Sequence, residues 1–345
     1  MRRSRRDIFS MLRAATAQDG LSNYPSGSLL GPWELTTVLV MALTLTLVAV
    51  LAGNDSFYMH IATTVVITAG FALSLGVITR VGYWSLGHAS FMGLGAYASV
   101  LAVTKLAMPI VVGLVCAMLI GGLTAAPIGA VLMRLRGAYF IMVTFALGEL
   151  VRLTFVSESS IFGGSGGITK IPPLVFTGLG GRFSSPLFSA YLLASALLVS
   201  EMVILLTIVR SSIGRIWDSI RENPDLAESQ GIPIHRYKVY AFVIGGAMAG
   251  LAGALQAHYL QFISPSMYDF SQSIKPIVAV IVGGSAFLVG PLLGASLLGP
   301  LPELFREWHE YERIFYGITL ALVVLLMPYG VVGFVRRMVD RFRRA

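Results

Sequence analysis

The sequence predicts an all-α integral membrane protein, a polytopic helical bundle of about ten spans. Three observations carry that prediction. The first is composition: of 345 residues, 56% are hydrophobic and 12% are charged, whereas an ordinary soluble domain carries about 25% charge. The second is a series of apolar runs near the length of about 20 residues that crosses a bilayer. The third is where the charge sits. The formal net charge is +8, and the two ends account for all of it. Residues 1–13 carry Arg2, Arg3, Arg5, Arg6 and Arg13 against Asp7, and residues 336–345 carry Arg336, Arg337, Arg341, Arg343 and Arg344 against Asp340. A nucleic-acid binder would gather its basic residues on a folded face. Basic tails around a neutral, apolar middle instead point to a membrane protein with both ends in the cytoplasm. A soluble enzyme and a nucleic-acid partner are thereby excluded, and the lipid membrane becomes the expected environment.

Each span follows from hydropathy. The clear candidates are 35–52, 58–79, 109–133, 187–210, 238–260 and 315–335; 91–104, 138–156, 273–284 and 290–305 are shorter or richer in glycine. Residues 1–34 form a basic cytoplasmic tail, 35–335 the transmembrane domain and 336–345 a second basic tail. Ten is even, as two cytoplasmic ends require. Eight spans would also satisfy parity, and the 273–305 hairpin is the pair most easily removed. The loops obey the positive-inside rule. Arg80, Arg134, Arg136 and the long loop 211–237 fall inside. The stretch 157–186 falls outside, as do residues 303–313, where Glu303, Glu307, Glu310 and Glu312 outnumber Arg306 and Arg313. Small residues four apart (Gly121, Ala125 and Gly129; Gly246 and Gly250; Gly290 and Gly294) read as close helix packing in lipid. Cys116 is the one cysteine, so a disulfide or a cysteine metal site within the chain is excluded.

The loop 211–237 is the most informative segment. It predicts two short helices. Ile216, Trp217 and Ile220 form an apolar stripe at helical spacing. Asn223 suits an N-cap, Pro224 a first helical position and Asp225 a first turn, and Gly231 suits a C-terminal stop. From Arg210 to Lys238 there are five basic and four acidic residues. That balance disfavours a basic helix lying on lipid and favours a protein surface on which the stripe docks.

At these residues the chain resembles the LivM-type permease subunits of branched-chain amino acid ABC importers, over about residues 60–335. The loop motif is Gly214-Arg215, Ile220-Arg221-Glu222-Asn223, Ala227 and Gly231-Ile232, running into Tyr237-Lys238 and Ala249-Gly250-Leu251-Ala252-Gly253. Further matching pieces are Ser85-Leu86-Gly87-His88, Gly93-Leu94-Gly95-Ala96-Tyr97, Leu135-Arg136-Gly137-Ala138-Tyr139-Phe140, Gly163-Gly164-Ser165 and Gly283-Gly284. Departures are Pro224, Ser285-Ala286-Phe287 and Met327. The resemblance implies an inverted-repeat permease fold in the bacterial inner membrane, and no enzyme activity. It also implies a second permease subunit, two cytoplasmic ATPase subunits holding ATP and Mg, and an extracytoplasmic substrate-binding protein. No cofactor and no metal are expected on this chain, which lacks a phosphate loop of its own. The implied function is translocation of branched-chain, hydrophobic amino acids by alternating access; urea, short amides and other amino or organic acids are the alternative cargo. The resemblance makes 211–232 the ATPase-coupling element, with Gly214, Arg215, Trp217, Ile220, Arg221, Glu222, Asn223, Ala227 and Gly231 as its residues.

Polar groups inside spans are functional candidates by default. Glu149 and Arg152 are three apart and can pair on one helix face. Glu201 is expected to snorkel or to pack on a partner subunit. Backbone freed at broken helices can meet the two charged ends of an amino acid. The substrate pathway is therefore expected near Ser85, His88, Gly93, Thr144, Glu149, Gly164, Ser165 and Gly284. An ion-coupled secondary transporter using Glu149 and Glu201 is the competing class of function.

Overall fold

A computed structural model describes residues 55–175, 185–285, 287–300 and 330–334, with isolated positions at 36, 40, 41, 43–45, 47, 48 and 317. Both basic tails and most of the predicted spans 35–52 and 315–335 lie outside the described residues. The chain divides into two units, Met1–Met41 and Ala42–Ala345. The described positions of the first are helical, and the second holds the helical bundle.

Five described helices are long and apolar enough to cross a membrane: α1 (Ser56–Thr79), α3 (Ile110–Leu132), α4 (Ala138–Ser157), α6 (Pro186–Arg210) and α9 (Ile234–Leu260). Local chemistry marks where they start. Asp55 caps α1, its carboxylate accepting from the Phe57 amide at 2.9 Å, and Pro186 opens α6. Helices α1 and α9 are apolar on all sides and mostly buried, as the centre of a bundle requires. Helix α4 buries only Phe140, Thr144 and Phe155 and leaves Met142, Leu150 and Leu153 exposed.

The glycine stripes read from the sequence meet one another. Helix α9 lies against α3 and against α2 (His88–Thr104). A Cβ at Gly250 would stand 2.4 Å from the Ala117 carbonyl, and one at Gly95 would stand 2.2 Å from the Gly250 Cα. Nothing larger than glycine fits at that crossing. Dispersion contacts between backbones this close replace the hydrophobic drive that lipid cannot supply.

Three helices at predicted spans are shorter than the hydrocarbon core of a bilayer. Helix α2 has 17 residues, α10 (Phe270–Gly283) has 14, and α11 (Gly290–Leu298) has 9. At 1.5 Å per residue these are about 26, 21 and 14 Å, against a hydrocarbon core of about 30 Å. The predicted spans 91–104 and 273–284, and the described part of 290–305, thus hold partial helices, and the count of ten is not established among the described residues. Breaks explain the shortening. Gly87 abuts the Thr144 carbonyl, about 9 Å along the 30 Å or so of α4, so α2 starts inside the bundle and not at its end. Gly284, with φ of 101°, ends α10, and α11 folds back on it with Gly294 against Ala279.

Two smaller helices, α7 (Ser212–Glu222) and α8 (Pro224–Ser229), fill the loop after α6. At the other end of the bundle, the single turn α5 (Ser159–Phe162) and a 3-10 turn at Gly164–Gly166 come after α4. Strands β1 (Ile168–Thr169) and β2 (Phe262–Ile263) then pair antiparallel, Ile168 opposite Ile263.

Candidate functional site

The loop helices form as the residues dictate. The Ser211 hydroxyl accepts from the Ile213 amide at 3.1 Å, and the Asn223 side chain accepts from the Leu226 amide at 3.0 Å. Gly231 turns the chain at a φ of 79° into α9.

The apolar stripe does not wait for a partner, which corrects the expectation that it is a docking face. Trp217 is completely buried, and its indole N–H donates to the Tyr237 carbonyl at 3.0 Å. Ile220, Ala227 and Ile234 form one core cluster, flanked by Ile216, Ile232 and Tyr237. Gly214 passes so near Val209 that a Cβ would lie 2.0 Å from its carbonyl oxygen. The return of the chain into α9 supplies the surface that the stripe covers. Four of the predicted coupling residues, Gly214, Trp217, Ile220 and Ala227, therefore hold the loop to its own bundle. Arg221 is partly buried, whereas Arg215, Glu222, Asn223 and Gly231 are exposed. Leu226, 56% exposed, stands among them; its position outside the stripe leaves it without a signal in the sequence.

Polar ties reinforce the anchor. Asp218 lies 3.8 Å from the buried Arg80 at the end of α1 and 3.9 Å from Arg221. The Lys238 ammonium donates to the Tyr83 hydroxyl at 3.1 Å and sits 5.0 Å from that ring's centroid. The Tyr83 hydroxyl donates to the Leu135 carbonyl at 3.1 Å. Helix α7 is thereby joined to α1, and the start of α9 to the α3–α4 turn. In the sequence Arg80 reads only as an orientation charge, and Tyr83 and Asp218 do not stand out. Lone polar groups with partners about 140 residues away leave no local signal. Arg136 and Asp225 also pair, at 3.3 Å, but both are well exposed and such pairs contribute little.

The predicted pathway residues do not share a single site. Ser85, His88 and Thr144 come together where α2 begins. The Leu86 amide donates to the Thr144 hydroxyl at 3.3 Å, and the Ala89 amide donates to the Ser273 hydroxyl at 3.0 Å. The His88 Nε2 is 2.8 Å from the Ser74 hydroxyl, with the imidazole stacked on Phe71. Buried at this junction, the Ser85 hydroxyl has no hydrogen-bond partner among the described residues. Further along α2, Gly93 abuts Phe155 and Tyr268. The Tyr97 and Tyr268 hydroxyls there are also buried and unpartnered among the described residues, and no local pattern marks Tyr268 in the sequence. Glu149 pairs with Arg152 on α4. Gly164 and Ser165 lie in the 3-10 turn before β1, against the end of α4 at Val156, and Gly284 lies in the α10–α11 turn beside Gly330. Glu201 is buried against α1, 3.4 Å from where a Gly70 Cβ would stand. Burial inside its own chain replaces the expected snorkelling or subunit contact.

Residues 57–327 match the family described as branched-chain amino acid transport system / permease component. The chain is 31% identical over 301 residues to the high-affinity branched-chain amino acid transport system permease protein LivM of Escherichia coli, covering 80% of this chain and 70% of that protein. It is 24% identical over 302 residues to the high-affinity branched-chain amino acid transport system permease protein BraD of Pseudomonas aeruginosa, covering 79% and 92%. A shorter match, 27% identical over 162 residues, links it to a probable branched-chain amino acid transport permease protein LivH of Methanocaldococcus jannaschii, covering 42% and 51%. No solved structure matches it.

Proposed function

Because the chain belongs to the family of permease components of branched-chain amino acid transport systems, we propose that it carries branched-chain, hydrophobic amino acids into the cytoplasm as one subunit of an ATP-driven importer. In this reading it lies in the inner membrane with both termini cytoplasmic. The partial helices α2, α10 and α11 complete a ten-span, inverted-repeat bundle. A second permease subunit completes the passage, an extracytoplasmic protein delivers the substrate, and two ATPase subunits hold ATP and Mg.

The observation that carries the reading is the α7–α8 unit, which is anchored to its own bundle and polar toward solvent. Closure of the ATPase pair displaces the exposed surface of Arg215, Glu222, Asn223 and Leu226. Trp217 and the Asp218–Arg80 pair pass that displacement to the start of α9 and the end of α1. Helix α9 packs on α1, α2 and α3, so the four tilt as a block and switch the side on which the passage opens. Rigid-body gating of this kind needs few but firm contacts.

The test is uptake of labelled leucine into proteoliposomes holding the full complex. Uptake that needs ATP, the ATPase subunits and the binding protein together supports the reading. Uptake by the permease alone under a proton or sodium gradient refutes it.

A further inference from the structure

Glu149 and Arg152 stand about 17 and 21 Å along α4, a helix about 30 Å long. They lie in its second half, about 13 and 9 Å short of its C-terminal end. The Arg152 Nε lies 3.0 Å from both carboxylate oxygens of Glu149, and its terminal nitrogen bonds the same group, the forked geometry in which arginine holds a carboxylate best. The pair is not sealed inside the chain: Glu149 keeps 38% and Arg152 26% of the side chain exposed. Ionised groups at such depth face a water-lined passage or protein, not hydrocarbon. Their surroundings are equally specific. Phe145, one turn before Glu149, packs edge-on against Phe270 with centroids 5.1 Å apart, and both rings are about two-fifths exposed. Asp269 caps the start of α10 through the Gln272 amide at 3.1 Å and is within electrostatic reach of Arg152. One open face thus offers a guanidinium, two carboxylates and an aromatic wall.

We infer that this face of α4 reads the head group of the transported amino acid, resting on the importer function proposed above. The substrate's carboxylate takes the guanidinium fork of Arg152. Its ammonium takes Glu149, with Asp269 adding a second negative charge. Its aliphatic side chain lies on Phe145 and Phe270. In the empty state Glu149 and Arg152 satisfy each other, and a zwitterion can enter between them without leaving either charge unpaired. A molecule with one charged end would strand one partner, so the arrangement selects zwitterions over simple carboxylates or amines.

The experiment uses the complete complex in proteoliposomes with labelled leucine. The double variant Glu149→Gln/Arg152→Gln is expected to assemble with the second permease and the ATPase subunits and to lower uptake at least tenfold. The exchange Glu149→Arg/Arg152→Glu keeps a pair but turns the head group end for end, away from the aromatic wall. It too is expected to lower uptake at least tenfold, and Phe145→Ala several-fold. Normal uptake in the exchanged variant makes the pair structural and overturns the inference. Loss of co-purification with the second permease in the glutamine variant makes it a subunit contact and overturns it as well. If the unmodified complex takes up no leucine, the importer reading itself fails, which is seen before any variant is compared.

Discussion

Replacing Trp217 with alanine should uncouple ATP hydrolysis from transport. Trp217 is wholly buried where α7 meets the start of α9, and its indole N–H is bonded to the Tyr237 carbonyl. Truncating a buried aromatic side chain to alanine costs about 3–5 kcal/mol. The lost hydrogen bond falls within that range, since one such bond contributes about 1 kcal/mol net. The loss is local, because α7 is one small unit at the bundle's end while the glycine crossings of α2, α3 and α9 are untouched. At about 1.4 kcal/mol per factor of ten, the docked arrangement of α7 loses roughly 100-fold or more in its population ratio. The ATPase subunits would then move a lever no longer fixed to α1 and α9. The assay is leucine uptake per ATP hydrolysed in the reconstituted complex. We expect insertion and hydrolysis to persist while uptake falls at least tenfold. Trp217→Phe, which keeps most of the ring but loses the donor, should retain most of it. An alanine variant with the normal ratio of uptake to hydrolysis would refute the reasoning.

The same geometry sets further expectations. Gly250→Leu places carbon where the Ala117 carbonyl already stands, 2.4 Å from the Cβ position; it should lower the thermal unfolding midpoint in detergent by about 5 °C or more, and an unchanged midpoint would refute the tight crossing. Leu226→Asp, on the exposed face of α8, should leave folding intact yet reduce ATPase co-purification several-fold. Arg136→Ala removes only an exposed pair with Asp225 and should keep uptake within about twofold of the unmodified complex.

The two loop helices, their caps and the packing role of the glycine stripes are legible in the sequence because each is a local pattern. Asn223 followed by Pro224 is sufficient to start a helix. The direction in which the stripe faces is not legible. Its covering residues, Ile234 and Tyr237, come from the chain's return into α9, and nothing local distinguishes an internal cover from a partner's surface. Span lengths escape a sequence reading for a similar reason. A hydropathy window adds the apolar residues on both sides of a break, so it cannot see that α2 starts only after Gly87, inside the bundle against Thr144. The Glu149–Arg152 pair is readable from spacing alone, whereas its neighbours Phe270 and Asp269, more than 110 residues away in sequence, are not.

The proposed coupling through α7 and α8 rests most directly on which side of the bundle the ATPase subunits touch. A cysteine in place of Leu226, in a chain carrying Cys116→Ala, can be exposed to a short bifunctional cross-linker in the assembled complex. A cysteine in place of Ser165, exposed before β1 at the other end of the bundle, provides the contrast. Position 226 should cross-link to an ATPase subunit and position 165 should not. Cross-linking of the ATPase to position 165, with none at 226, would contradict the coupling role of the loop.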